Sequence, residues 1–148
     1  MKAYKTILLL GLLFVLALTV PCWARMVSIS KNDVNMRSGP GTNYRVKWVL
    51  GQGYPLHVVA TRGKWLKVRD FENTTGWVYK PLVNRRPHMV VKKKLVNVRS
   101  RPSLHAKVVA RAKYGVVFRT LKRGKNWVKV RHQNGITGWV ARRLVWGW

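Results

Sequence analysis

Residues 63–69 read Gly63-Lys64-Trp65-Leu66-Lys67-Val68-Arg69, and residues 76–83 close the stretch with Gly76-Trp77-Val78-Tyr79-Lys80-Pro81-Leu82-Val83. In the first part the side chains alternate. Leu66 and Val68 share one face, and Trp65, Lys67 and Arg69 share the other, which is the pattern of a half-buried strand. Between the two parts, Asp70 to Gly76 is rich in residues that accept turn geometry. The stretch therefore reads as a hairpin.

It occurs twice. Asn126-Trp127-Val128-Lys129-Val130-Arg131 and Gly138-Trp139-Val140-Ala141-Arg142-Arg143-Leu144-Val145 repeat it 62 positions later, with the tight-turn pair Asn134-Gly135 between them. The same offset carries Val34-Asn35-Met36-Arg37-Ser38-Gly39-Pro40 onto Val96-Asn97-Val98-Arg99-Ser100-Arg101-Pro102. Residues 34–83 and 96–145 thus align without a gap, and the repeat settles the architecture before any single residue does.

Outside the repeat, residues 1–24 read as an export signal. Lys2 and Lys5 supply a positive start, residues 7–20 are an uncharged, mostly apolar run, and Cys22-Trp23-Ala24 offers small residues where a signal peptidase inspects, so cleavage is expected after Ala24. The run is short for a membrane anchor, which needs about 20 residues; contact with a membrane is expected only through an uncleaved leader. Cleavage removes Cys22, the only cysteine, and with it any disulfide, thiolate nucleophile or cysteine metal ligand. The remaining chain keeps 28 of the 30 Lys and Arg against 3 acidic residues. Such a surface attracts polyanions, a statement about partners and not about fold.

The rest of the chain reads as short strands between Gly, Pro and Asn clusters: 26–30, 33–37, 45–50, 55–61, 64–69 and 76–79, a tight turn at 80–82, then 89–92, 95–99, 107–110, 116–122, 126–131 and 138–141. The fold class is all-β, with two tandem small barrels expected at 25–84 and 89–148 and a connector at 85–88 that Pro87 stiffens. At about 60 residues each half is marginal alone, so the halves are expected to lean on one another.

These residues resemble the bacterial SH3-like domains, exported envelope modules often found in tandem or fused to cell-wall hydrolases. The resemblance rests on Val-Asn-x-Arg-Ser-x-Pro, a Trp-x-x-Val-Arg strand and Gly-Trp-Val-x-x-x-Leu, in order and twice, over residues 26–145. It implies a five- to seven-stranded barrel per copy and binding to peptidoglycan or its peptide stems. On it, Val34, Arg37, Pro40, Val68, Gly76, Trp77 and Val78, with Val96, Arg99, Pro102, Val130, Gly138, Trp139 and Val140, form the structural motif. In the loop Arg37-Ser38-Gly39-Pro40-Gly41 the glycines would allow sharp reversal. Arg101 and Ser103 replace them in the second copy, where a different loop conformation is expected. Leu82 and Leu144 stand where many members place a tyrosine, so recognition of proline-rich peptides loses support.

The candidate ligand-binding residues are Tyr44, Trp48, Trp65, Lys67, Arg69, Trp127, Lys129 and Arg131. Trp65 and Trp127 face away from the core, each as either a cap over the barrel rim or a ligand platform. Lys67, Arg69, Lys129 and Arg131 share that face and would suit an anionic glycan or a phosphate. Tyr44 and Trp48 have only Ala106 and Ala110 as counterparts, which favours the first copy. Lys92-Lys93-Lys94 guards a strand edge, and Trp146-Gly147-Trp148 either packs back on the second barrel or fills a groove.

Catalysis is not expected. Asp33, Asp70 and Glu72 are the only carboxylate side chains, and the one neighbouring pair sits within a single loop. His57, His88, His105 and His132 are isolated, so no catalytic residue, metal site or cofactor is predicted. The leading expectation is a non-catalytic exported module of the periplasm or cell envelope that binds peptidoglycan or an associated anionic cell-wall polymer. The alternative is a periplasmic structural or adaptor protein with a protein partner. Charge alone would allow a nucleic-acid binder, but the leader argues against it.

Overall fold

The computed structural model describes residues 25–148. The expected leader, with Cys22, lies outside the described residues. The alternation at 65–69 becomes strand β5 (Trp65–Arg69), in which Leu66 and Val68 are fully buried, Trp65 and Lys67 half-buried and Arg69 exposed. Around it stand β1 (Met26–Ile29), β2 (Val34–Arg37), β3 (Val46–Leu50), β4 (Pro55–Arg62), β6 (Thr75–Tyr79) and β7 (Val83–Asn84), in the sheet order β3-β2-β6-β5-β4-β1-β7. A second sheet repeats that order with β8 (His88–Val91), β9 (Leu95–Arg99), β10 (Val108–Lys113), β11 (Val117–Arg123), β12 (Trp127–Arg131), β13 (Thr137–Ala141) and β14 (Val145–Gly147). The tight turns are the 3-10 segments Lys80–Leu82 and Arg142–Leu144. Even the β-bulges match, falling between Val58 and Ala60 in one sheet and between Thr120 and Lys122 in the other.

Each sheet curls around its own core. Val27, Ile29, Val34, Met36, Leu50, Leu56, Leu66, Val68 and Val78 form one cluster. Met89, Val91, Val96, Val98, Phe118, Val128, Val130 and Val140 form a large part of the other. The two cores are separate. The motif glycines serve packing where β6 and β13 pass close to β2 and β9. A Cβ on Gly76 would lie 2.5 Å from the Met36 Cγ, and one on Gly138 would lie 2.6 Å from Val98 Cγ1 and 2.8 Å from the Arg99 carbonyl oxygen. No side chain fits there.

Two features differ from the sequence reading, and a third decides between two alternatives it left open. β7 and β14 were not anticipated, because two or three residues show no alternation and their partners, β1 and β8, are more than 50 residues away along the chain. Trp146-Gly147-Trp148 consequently packs back on its own sheet: the Trp148 N–H donates to the His88 carbonyl at 3.1 Å, and Thr120 Oγ1 donates to the Trp148 carbonyl at 2.7 Å. His88, assigned to the connector, is the first residue of β8.

The two units do lean on one another. Phe71 of the first lies between Tyr54, at 6.4 Å, and Tyr114 of the second, at 5.3 Å, and the Tyr114 hydroxyl donates to Glu72 Oε1. That bond pushes the Tyr114 phenol up to about 12, while burial, then the Asp70 and Glu72 carboxylates, raises that of Tyr54. At the connector, Ser28 Oγ donates to the Arg86 carbonyl at 2.8 Å, and His88 Nδ1 lies 2.9 Å from the same oxygen. Among the described residues no helix is long and apolar enough to cross a membrane.

Candidate functional site

The outward face of the β5–β6 hairpin carries three of the candidate residues, Trp65, Lys67 and Arg69. Antiparallel register sets Trp65 opposite Tyr79, Lys67 opposite Trp77 and Arg69 opposite Thr75. The rings of Trp65 and Tyr79 pack at 5.4 Å with a 52° tilt. They wall a cleft of about 550 Å3 whose other sides come from Lys31, Asn35, Arg37, Asn43 and Leu82, with one carboxylate, Asp33, among them. Cleft size, aromatic wall and scattered amide and cationic donors are what a site for a polar ring or a short extended chain requires. Leu82 supplies an apolar surface there.

Arg37 holds one wall of that cleft. Its Nη1 donates to the carbonyls of Thr42 at 3.0 Å and Tyr44 at 2.9 Å, fixing the loop between β2 and β3. The Tyr44 ring covers the same loop: a Cβ on Gly39 would fall 2.3 Å from the Tyr44 Cδ1 and one on Gly41 3.3 Å from its Cδ2. Neither glycine has positive φ, so neighbouring side chains and not the turn exclude a Cβ: the Tyr44 ring at Gly39, and Asn43 Oδ1, 2.6 Å away, ahead of the ring at Gly41. In the second copy Ala106 replaces Tyr44, and Arg101 and Ser103 replace the glycines. The expectation of a different loop conformation is therefore overturned. Arg99 Nη1 donates to the Ala106 carbonyl at 2.9 Å, and the backbone bonds Ser100 N to Lys107 O, Ser103 N to Arg101 O and Ala106 N to Ser103 O repeat Ser38 N to Arg45 O, Gly41 N to Gly39 O and Tyr44 N to Gly41 O.

The candidates do not form one site. Trp65 lines the cleft, and Tyr44 buttresses its loop from outside the lining. Trp48 is 55% exposed on the edge strand β3, beside Val49 at 59%. Lys67 belongs to a row across three strands, where register sets Trp77 between Arg37 and Lys67. The second sheet repeats the row as Arg99, Trp139 and Lys129. Arg69 Nη2 lies 3.1 Å from His57 Nδ1, and burial, then the Arg69 charge, holds that imidazole below its usual range. In the second unit Trp127 lines a cleft with Leu104, Asn126 and Arg142, but Ala141 stands where Tyr79 stacks on Trp65. Arg131 lies elsewhere, in a cleft between the two units.

Tyr79, Asn35 and Asn43 were not among the sequence candidates. Tyr79 could have been found: in a hairpin that pairs Arg69 with Thr75, every further residue along the strands fixes the next pair, and the fourth is Trp65 with Tyr79. Asn43 had no such signal, since its place depends on a loop. Of the carboxylates, Asp70 Oδ1 accepts from the backbone N–H groups of Glu72 at 2.9 Å and Thr74 at 2.8 Å, and Glu72 accepts from Tyr114. Among the described residues no group of three or more His, Cys, Asp or Glu side chains is gathered.

Two small antiparallel sheets of one order, each bearing an outward tryptophan beside a cleft, define a duplicated all-β module. The chain belongs to the bacterial SH3 domain family, whose model matches residues 30–84 and again residues 92–147. It is similar to YrvJ of Bacillus subtilis (strain 168), a protein named as an N-acetylmuramoyl-L-alanine amidase, with 27% identity over 137 residues; the match covers 80% of this chain and 26% of YrvJ. The chain thus spans about a quarter of that relative's length. Among solved structures it resembles NlpC2 from Trichomonas vaginalis, with 14% identity and a TM-score of 0.37 over 82% of this chain and 47% of that one. An NlpC/P60 family protein from Bacillus cereus ATCC 10987 matches with 14% identity and a TM-score of 0.39 over 84% and 56%.

Proposed function

We propose that this protein is an exported, non-catalytic module of the bacterial cell envelope, built as two small barrels, that binds peptidoglycan or an anionic polymer associated with it. The observation that carries this reading is the Trp65–Tyr79 pair, packed at 5.4 Å with a 52° tilt and opening on a cleft where Lys31, Arg37, Asn35 and Asn43 stand against a single carboxylate, Asp33. Aromatic faces take the apolar face of a sugar ring, amides take its hydroxyls, and the cations suit a muramyl carboxylate or a phosphate. Membership of the bacterial SH3 family and the amidase name of YrvJ support a cell-wall ligand. The engagement of Asp70 and Glu72 in loop and inter-unit hydrogen bonds supports a binding role without catalysis. An export signal at 1–24 agrees with the envelope.

Co-sedimentation with purified sacculi at low and rising salt tests the proposal. Trp65→Ala is expected to weaken binding about tenfold, a loss of about 1.4 kcal/mol, with Asn43→Ala as a milder variant for which folding is not in question. Trp127→Ala is expected to matter less, because Ala141 gives it no stacked partner. Absence of wild-type binding at low salt overturns the reading. A protein-binding adaptor has one observation in its favour, the exposed apolar edge of Val46, Trp48 and Val49 on β3. Stoichiometric capture of a protein partner that survives high salt, without retention on sacculi, would establish that role instead.

A further inference from the structure

The second cleft lies between the units and has a different chemistry. It holds about 430 Å3, with Ile29, Val116 and Val117 as its apolar part. Arg86, Arg119, Arg131, His88 and His132 bring the cationic and titratable groups, and no carboxylate lines it. Neutral amides complete the lining: Gln52 and Asn84, whose Oδ1 accepts from the Arg86 N–H at 3.0 Å, from the first unit, and Gln133 from the second.

Register makes the arrangement costly without a ligand. Arg119 of β11 stands directly opposite Arg131 of β12, and like charges at such positions destabilise a sheet. The equivalent pair in the first unit is His57 and Arg69, where a neutral imidazole can accept from the guanidinium at 3.1 Å. The first copy thus relieves the repulsion with a histidine, whereas the second keeps two permanent cations, of which Arg131 donates from Nε to Thr137 Oγ1 at 3.3 Å, and the connector adds Arg86.

The cleft is also built to hold its shape. Ser28 Oγ and His88 Nδ1 both reach the Arg86 carbonyl, and the backbone bends at Gly53 with φ 81°. A Cβ on Gly53 would fall 2.7 Å from His88 Cδ2 and 3.3 Å from Val117 Cγ1, so the units approach there as closely as a bare backbone allows.

We propose that this inter-unit cleft binds a phosphate group through the guanidiniums of Arg86, Arg119 and Arg131. A single carboxylate is neutralised by one of the three, whereas a phosphate offers enough oxygens to engage two forks and satisfy the rest with amides. The site goes beyond the glycan reading of the Trp65 cleft and does not depend on it. Its ligand is either a free phosphate or phosphate ester, or the phosphodiester of an envelope polymer, and these share the same chemistry.

Calorimetric titration of the folded protein with inorganic phosphate, against sodium chloride and sodium acetate at matched ionic strength, tests it. Phosphate is expected to bind saturably and to raise the melting temperature, with acetate and chloride doing neither. Arg119→Gln and Arg131→Gln are each expected to weaken phosphate about tenfold; Arg119→Gln should leave the unliganded protein as stable as before or more so, since it removes a repulsion, whereas Arg131→Gln also removes the 3.3 Å bond from Arg131 Nε to Thr137 Oγ1. Lys122→Gln, the same charge change on β11 outside the cleft lining, is expected to bind as wild type. No saturable phosphate binding, equal binding of acetate, or an equal loss in Lys122→Gln would overturn the proposal. A polyglycerol phosphate binding much more tightly than inorganic phosphate assigns the polymer, and equal affinity per phosphate assigns the free ion or ester. Trp65→Ala is expected to leave phosphate binding intact, and Arg119→Gln to leave binding to phosphate-free sacculi intact, so the two proposals fail separately.

Discussion

Phe71 and Tyr114, which belong to different sheets, stack at 5.3 Å with their planes tilted by 56°. Phe71 leaves a loop that Asp70 has already fixed through the N–H groups of Glu72 and Thr74, so the ring is presented to the second unit by a rigid base. The adjacent Glu72 accepts from the Tyr114 hydroxyl, giving one loop both an apolar and a polar hold on its neighbour. A pair of separate cores becomes a single body at this point and at the connector.

Phe71→Ala is expected to loosen the units without unfolding either. An aromatic pair contributes about 0.5–1.5 kcal/mol beyond its buried area, and Phe71 makes two such pairs. Nuclear spin relaxation reads the outcome directly: wild type should tumble as one body, and the variant as two units with shorter correlation times. Identical tumbling in both would show that the connector alone fixes the orientation.

The loop between β2 and β3 yields a coupled pair. Gly39→Ala places its Cβ 2.3 Å from the present position of Tyr44 Cδ1, an overpacking expected to cost about 1–3 kcal/mol. In a Tyr44→Ala background the same change should cost a few tenths of a kcal/mol at most, because the obstacle is gone and the backbone at Gly39 is not left-handed. The second copy already has that combination in Arg101 and Ala106, with the same loop hydrogen bonds. Urea denaturation of the four proteins measures the coupling. Equal costs in both backgrounds would mean that the glycine answers to something other than the ring.

How much of this was visible in the residues follows from distance along the chain. The hairpins, the core faces and the duplication come from alternation and from a repeat at an offset of 62, which are local or self-referential signals. Trp65, Lys67 and Arg69 were correctly placed on one face, yet they divide among three surroundings, because each has a different cross-strand partner: Tyr79, Trp77 and Thr75. Turn geometry does not explain the glycines of the first loop: the Tyr44 ring crowds Gly39, and the Asn43 amide crowds Gly41. The inter-unit cleft had no sequence signature, since Ile29 and Gln52 of the first unit meet the Arg119–Arg131 pair of the second only through docking.

The last prediction concerns acid. Burial, before the charges of Arg119 and Arg86, holds the His88 imidazole below its ordinary range, and only the hydrogen bond to the Arg86 carbonyl opposes that shift. The unfolded chain, with the ordinary value near 6.5, therefore takes up a proton at a higher pH than the folded protein does. Below that value the unfolded state holds more protons, so stability falls as the pH falls. It is fully present above the unfolded value and is lost as the pH drops towards the folded one. Protonated His88 would add a third cation beside Arg86 and Arg119, and His132 lines the same cleft. His57 is shifted in the same direction but is the more exposed of the two, so its share is smaller. Urea midpoints of wild type, His57→Gln and His88→Gln at pH 7.5 and 5.5 test this. Wild type and His57→Gln should lose stability on acidification, and His88→Gln should lose the least. A wild-type midpoint that rises on acidification, or a slope unchanged by His88→Gln, would place the acid sensitivity in another group.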